Sequence, residues 1–395
     1  MSQSLGDLAL FYRRRLLENV VPFWEQHALD HDYGGYFNSL DRTGAVYDSD
    51  KAVWLQARAV WMFAKLYNTV EARPAWLDAA RLGYEFLTKY AFDTDGRMFF
   101  ALTRAGEPLR KRRYYFSETF AAIAFAEYAR AAQNAAALDR AKSVYRLIVD
   151  LYRNPQQLPP KSIPGTRPMK AHAIPMIMLA TTHELRQVDD DPLYTEIVDD
   201  ALGQILNHFM KPEKQALLET VGPNGEYLNT IDGRTVNPGH AIESAWFIMH
   251  EAQHRNDSQL VARAAQIIDW SLELGWDREY GGLFYFVDVA GKPPTQLEWD
   301  MKLWWPHTEA LYALLLAHHL THEQRYADWF EKVHAWSFDH FADTDYGEWY
   351  GYLRRDGSVS TPLKGGMWKG FFHLPRALWL CWRLFERMQA QSAAG

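Results

Sequence analysis

The residues able to do chemistry fall in a few short phrases of this chain. The first is Asn237-Pro238-Gly239-His240-Ala-Ile-Glu243. Asn-Pro-Gly opens a helix, with Asn as the cap and Pro in the first turn. His240 and Glu243 stand three apart, so they share a helical face near its open end. A carboxylate beside an imidazole can orient the ring and keep it exchanging protons near neutrality. A capping His beside a surface Glu is the structural alternative. The second phrase is Trp368-Lys-Gly-Phe-Phe-His373-Leu-Pro-Arg376, again with a His three before a charge. Alone, His373 reads equally as a base or as a structural residue.

A register match joins these phrases to others. Lys51…Trp54…Arg58, Lys302…Trp305…Glu309 and Lys369…Phe372…Arg376 all space Lys, aromatic and charge by 3 and 4. Arg58, Glu309 and Arg376 should then occupy equivalent helix positions. A charge on an otherwise apolar helix is costly unless paired or functional. A buried ion pair to Arg58 is the structural reading. Several Trp stand beside charges: Glu298-Trp299-Asp300, Leu303-Trp304-Trp305 after Lys302, and Met367-Trp368-Lys369. An indole beside carboxylates and bases suits a sugar, with its apolar C–H face and rim of hydroxyls. The alternative is that these rings fill seams between helices.

Other patterns carry less. His318-His319-Leu-Thr-His322 has metal-like spacing but lacks the glutamate of HExxH, so it reads as a solvated helix end, and no metal site is expected. Lys364-Gly-Gly-Met-Trp-Lys-Gly370 does not match the phosphate-loop pattern. There is no GxSxG. Arg110-Lys-Arg-Arg113 reads as a solvated loop. Cys381, the one cysteine, reads as a core thiol.

A repeat says what must position these residues. Tyr33-Gly-Gly-Tyr-Phe…Gly44 returns at Tyr280…Gly291 and Tyr346…Gly357, with Asp95…Gly106 as a fourth copy and Gly222-Pro-Asn-Gly…Gly233 as a weaker fifth. The copies start at 33, 95, 222, 280 and 346, a period of roughly 62 residues, and a missing copy should fall near 158, in Gln157–Gly165. Each phrase alternates aromatics and ends in a turn, as a short hairpin does. Between them, apolar spacing predicts helices near 5–28, 50–70, 74–91, 116–133, 137–153, 169–187, 192–210, 239–254, 258–274, 304–320, 323–338 and 373–391. Two helices per unit and six units predict a closed (α/α)6 barrel, one domain over 1–395, with hairpin loops crowded over one end. An open superhelical scaffold is the alternative. In a closed ring, His373 and His240 can face each other across the mouth.

Composition excludes several partners. Net charge is −7, from 42 Lys+Arg against 49 Asp+Glu, with no long basic block, which argues against nucleic acid. No run of 18 apolar residues predicts a membrane span, and Met1–Leu8 lacks signal-peptide character. A single cysteine fits a reducing cytoplasm.

These residues resemble the N-acylglucosamine 2-epimerase (renin-binding protein) family over about Leu10–Leu384. The likeness runs through Phe23-Trp24, Tyr33-Gly-Gly-Tyr-Phe, Trp54-Leu-Gln-Ala-Arg58, Pro164-Gly-Thr-Arg-Pro-Met-Lys170, Asn237…Glu243, Leu297-Glu-Trp-Asp-Met-Lys-Leu-Trp-Trp305 and Lys364…His373. Cellobiose 2-epimerases and aldose–ketose isomerases are similar at His240, Glu243 and His373, but Arg167–Met176 lacks their Asn-rich pattern, and His172 is not assigned their ring-opening role. The resemblance implies an (α/α)6 barrel found as a homodimer, with ATP or another nucleotide as an activator that is not consumed. It implies interconversion of N-acetyl-D-glucosamine and N-acetyl-D-mannosamine through the open-chain sugar. His240 and His373 would be the acid–base pair, Arg58 would face the enediolate oxygen, Glu243 would orient His240, and Glu309 would hold a hydroxyl or assist ring opening. Trp304, Trp368, Trp299, Asp300 and Lys170 form the expected substrate-binding set. The rivals are a mannose- or cellobiose-type epimerase or isomerase, a glycoside hydrolase using Glu243 and Glu309, and a non-catalytic binding protein.

Overall fold

Two kinds of helix alternate along the chain, and their sequences say why. In the computed structural model, which describes residues 3–160, 163 and 165–394, the helices are α1 (Leu5–Arg14), α2 (Val21–His27), α3 (Val53–Thr69), α4 (Pro74–Tyr90), α5 (Phe116–Ala132), α6 (Ala135–Arg153), α7 (Ala173–Arg186), α8 (Pro192–Gln204), α9 (Ile231–Arg234), α10 (Pro238–Arg255), α11 (Ser258–Gly275), α12 (Trp304–Thr321), α13 (Gln324–His340) and α14 (His373–Ala394). A π-helical segment, Arg15–Val20, runs α1 into α2, and another, Ile205–Phe209, extends α8. Every helix expected from the sequence is present, with ends within about four residues.

α3, α5, α10 and α12 are buried on nearly every side. In α12, Trp304–Ala317 is buried throughout. A helix apolar all round belongs inside. α6 instead buries Ala137, Ala141, Val144, Tyr145 and Ile148, a single stripe, and so lies outside. α3, α5, α7, α10, α12 and α14 form the inner ring. α3 packs on α5, α5 on α7, α7 on α10, α10 on α12 and α12 on α14. Lys65 and Trp61 of α3 meet Trp379 and Phe372 on the α14 side, which closes the circle. Outside, α1 packs on α14. This is the (α/α)6 barrel. Among the described residues no helix is long and apolar enough to cross a membrane.

The repeated phrases make turns over one end. Asp41/Gly44, Thr103/Gly106, Gly222/Gly225, Asp288/Gly291 and Arg354/Gly357 each close with the glycine N–H donating three residues back, at 2.9–3.2 Å. Every one of those glycines has positive φ, and Gly165 at φ 83° falls where the period requires the sixth. The weaker fifth copy is thereby corrected: its turn-closing residue is Gly225, not Gly233. Lys161, Ser162 and Pro164 of the sixth copy lie outside the described residues.

One ion triad recurs and staples neighbours together. Asp30 pairs with buried Lys51 (2.9 Å) and with Arg104 from the next unit's turn (2.8 Å). Asp277 pairs with buried Lys302 (3.0 Å) and Arg355 from the next turn (2.9 Å). Asp343, in the last unit, pairs with buried Lys364 (3.0 Å) and with Arg42 of the first unit (2.7 Å). The device that links consecutive units therefore also links the last to the first. It corrects the register match in its third copy. Lys364, not Lys369, is the counterpart of Lys51 and Lys302, and Lys369 pairs with Glu348 at 2.8 Å.

Burial pulls Lys302 down to about 8, although Asp277 opposes the shift. Removing Asp277 leaves that ammonium buried without its carboxylate. Asp277→Ala is expected to cost about 3–5 kcal/mol, read as a lowered thermal and urea midpoint. A change below about 1 kcal/mol would mean that the triad does not staple the ring.

Candidate active site

The inner ring encloses a cavity of about 850 Å³ that opens among the turns and runs down the barrel. Arg58, His240, Glu243, His373 and Arg376 sit in the first two turns of their helices, which the hairpins deliver to the mouth. Asn237 caps α10 by accepting the His240 N–H at 3.1 Å, as its sequence predicts. Lys51-Ala52 and Lys302-Leu303 are strand stubs that lead directly into α3 and α12. From those starts Arg58, His240, Glu243, Trp304, Trp305, His373 and Arg376 all reach the cavity wall.

Each histidine is held by its own carboxylate. His373 Nδ1 is 2.7 Å from Glu309 Oε1, and His240 Nδ1 is 3.0 Å from Glu219 Oε2. A carboxylate only accepts, so it fixes the proton on Nδ1 and leaves Nε2 for a ligand. Neither Nε2 has a hydrogen-bond partner among the described residues. Trp305 packs beside both rings, its centroid 5.0 Å from that of His240 and 5.8 Å from that of His373. Gly239 makes room for it, since a Cβ there would sit 2.6 Å from the indole.

The electrostatics of the two rings differ. Burial pulls His240 down, but the Glu219 carboxylate, with Glu243 and Glu309 farther off, outweighs it and holds the ring above its ordinary range. Burial, then the charges of Arg58 and Arg376, push His373 well below that range. One is therefore poised as an acid and the other as a base.

Below them lies a shared guanidinium. Arg376 Nη2 donates to Glu243 Oε1 and Glu309 Oε1, each at 2.7 Å, and Trp246 Nε1 donates to Glu309 Oε2 at 2.9 Å. Arg58 differs: it stacks 4.0 Å from Phe120, 4.3 Å from Trp54 and 4.8 Å from Phe372, and its buried Nε has no partner. Burial brings it down to about 9, against the pull of Glu243. The structural reading of Arg58 as half of a tight ion pair does not hold among the described residues. Among the described residues, Glu243, Glu309 and His373 alone approach the spacing of a cation site, within 4.8 Å, but Arg376 already donates to both carboxylates.

The pattern of family-matching sequence decides whose site this is. That of N-acylglucosamine 2-epimerase (GlcNAc 2-epimerase) matches residues 35–377. The chain belongs to the N-acylglucosamine 2-epimerase family. It is 41% identical over 390 residues to N-acylglucosamine 2-epimerase of Bos taurus, covering 96% of this chain and 92% of the other, and 38% identical over 388 residues to that of Homo sapiens, covering 95% and 90%. Its backbone follows cellobiose 2-epimerase from Spirochaeta thermophila with a TM-score of 0.84 at 23% identity, covering 98% of each chain.

Against the sequence expectations for a member of this family, the structure gathers His240, His373, Arg58, Glu243, Trp304 and Trp368 around one cavity, with Glu309 set behind the wall against His373 and Arg376. It does not bring Trp299, Asp300 or Lys170 to the wall. Trp299 packs on Phe284 in the mouth loop, and its backbone carbonyl accepts from Tyr285 and Phe286. Asp300 follows it in that loop. Lys170 contacts His208 and the Phe209 ring instead. Glu243 does not orient His240; it serves Arg376, and Glu219 takes the place expected of it. Glu309 orients His373. Arg112, expected in a solvated loop, stacks on Phe100 (3.9 Å) and Trp368 (5.2 Å) at the mouth. Glu219 escaped sequence reasoning because no motif surrounds it, and Trp305, although marked by the register match, was left out of the substrate-binding set in favour of its neighbour Trp304.

Gly239→Ala is expected to push Trp305 out of its place beside the two histidines. Overpacking there should cost about 1–3 kcal/mol, with shifted ring resonances of His240 and His373 in side-chain NMR. Wild-type stability and unshifted histidine signals would show that Trp305 does not depend on Gly239.

Proposed function

We propose that this protein interconverts N-acetyl-D-glucosamine and N-acetyl-D-mannosamine by removing and returning the C2 proton of the open-chain sugar. The observation that carries the reading is the pair of histidines, each held through Nδ1 by a separate carboxylate, on one cavity. The two sugars differ only at C2. Inverting that carbon requires a base on one side of the plane and an acid on the other. The open-chain aldehyde acidifies the C2–H bond, and its electrons move into an enediolate as the proton leaves.

His373, kept neutral by burial and its two arginines, is the base in the resting enzyme. His240, kept charged by Glu219, is the acid. The opposite epimer uses them in reversed roles. Arg58 is the cation for the enediolate oxygen. Its aromatic surroundings exclude water and leave its donors free of carboxylates, so a hydrogen bond to developing negative charge is strong there. Trp304, Trp305 and Trp368 present rings to the sugar. In this reading the protein acts as a cytoplasmic homodimer activated by a nucleotide such as ATP, as the family resemblance implies.

A glycosidase reading is disfavoured by Arg376. One guanidinium nitrogen bridges Glu243 and Glu309, so these carboxylates do not flank an open space for a glycosidic bond and water. The test is proton NMR of N-acetylmannosamine with enzyme in D2O, with and without ATP. N-acetylglucosamine signals should grow without a C2 proton. Unchanged spectra under both conditions, with turnover of unsubstituted mannose or cellobiose, would overturn the assignment of substrate.

A further inference from the structure

The phrase that supplies His240 does not supply the group that holds it. Glu219 does, from a stretch 21 residues earlier. Its main chain is fixed on both sides. The Glu219 N–H donates to Thr235 O, and the Glu219 carbonyl accepts from the His172 N–H, both at 3.0 Å. Its carboxylate lies between two imidazoles, with Oε2 3.0 Å from His240 Nδ1 and Oε1 3.6 Å from His172 Nδ1. His172 is fully buried and is not part of the cavity wall. Its Nε2 is 2.9 Å from Ser244 Oγ, on α10 one turn beyond His240. The row His240, Glu219, His172, Ser244 therefore starts at the cavity and ends in the core.

The chemistry of the row is consistent along its length. If the Ser244 hydroxyl donates to His172 Nε2, His172 must turn an Nδ1–H toward Glu219. At 3.6 Å this contact is longer than a hydrogen bond, so the His172 imidazole supports the carboxylate electrostatically, while the His172 backbone N–H holds the Glu219 carbonyl. Although burial opposes it, His240 and His172 together bring its carboxyl down to about 2. The other groups around His240 are Glu243 on its own helix, Glu309 on α12, and His373 with Arg376 on α14. Arg58 faces the site from α3, and Tyr285 faces Glu219 from the mouth loop. Among these, Glu219 alone touches the His240 ring nitrogens.

We infer that Glu219 is the positioning residue of the His240 face, and that His172 and Ser244 lock it in place. The inference rests on the epimerase reading. His373 has its own carboxylate, Glu309, so a defect at Glu219 should injure one face of the reaction only. With Glu219 changed, His373 still takes the C2 proton of the epimer that presents it, and the electron pair enters the enediolate. Return from the His240 side is then slow. His373 exchanges the proton it took for a deuteron of the D2O solvent and returns that deuteron to C2 on the original face, which gives exchange without inversion.

The experiment follows each purified epimer with wild-type, Glu219→Gln and Glu219→Asp protein in D2O by NMR, together with pH profiles of epimerisation. Glu219→Gln should epimerise about 10²-fold slower or more. It should exchange the C2 proton of one epimer faster than it inverts it. Its alkaline limb should move to lower pH by about one unit or more, because the carboxylate that raises His240 is gone. Glu219→Asp should recover part of the rate. If Glu219→Gln does not fold, Ser244→Ala decides by whether its alkaline limb moves the same way. Equal loss of exchange and inversion for both epimers with unmoved pH limbs would overturn the inference, as would wild-type behaviour. A wild-type enzyme silent on both sugars would instead overturn the epimerase reading.

Discussion

One guanidinium, Arg376, sits where the rest of the site has to fit around it. It is fully inside the barrel and donates to Glu243 from α10 and Glu309 from α12. A buried charge of this kind is tolerated only with its partners in place. The two carboxylates satisfy it, and Glu309 has acceptor capacity left for His373 and for Trp246. Three inner helices are thereby tied at the level of the proposed chemistry. With Glu243 and Glu309 committed to Arg376, the second arginine, Arg58, is left among aromatic rings with donors to spare. The division between a structural arginine and an available one follows from that count of partners.

The barrel makes this arrangement rigid. α3, α7, α10 and α12 each begin within two residues of a strand stub, so residues of their first two turns line the cavity. The Asp–Lys–Arg triads lock the first turn to the second and the fifth to the sixth, and the Asp343–Arg42 pair carries the same lock across the chain ends. A closed ring fixes the angle between α10 and α14, and so the relation of His240 to His373. The scaffold and the site use the same device, a buried charge shared between units.

The fold was legible because a repeat multiplies weak signals. Twelve helical stretches, five similar turns and one regular period all point to the same ring. The two histidines proposed as the acid–base pair were legible because each opens a helix within a distinctive phrase. Glu219 was not. It is set beside His240 by a backbone hydrogen bond to Thr235, on the strand that leads into α10, and beside His172 by the pairing of Lys170–Ala171 with Thr220–Val221, which no local spacing reports. The exchange of partners between Glu243 and Glu219 has the same origin: residues three apart on a helix share a face, but a third helix can offer one of them a better-placed cation. Lys170 and Asp300 stand in matching motifs, yet motif membership does not say which way a loop residue faces.

The account stands or falls on whether C2 lies between the two imidazoles. The most direct measurement is a crystal structure with an open-chain alditol, 2-acetamido-2-deoxymannitol, which cannot react. The account predicts C2 between His240 Nε2 and His373 Nε2, one on each side of the chain, about 3–3.5 Å from each, with Arg58 directed at the oxygen on C1. An alditol held at the mouth against Trp368, or one with both imidazoles on the same side of C2, would contradict it.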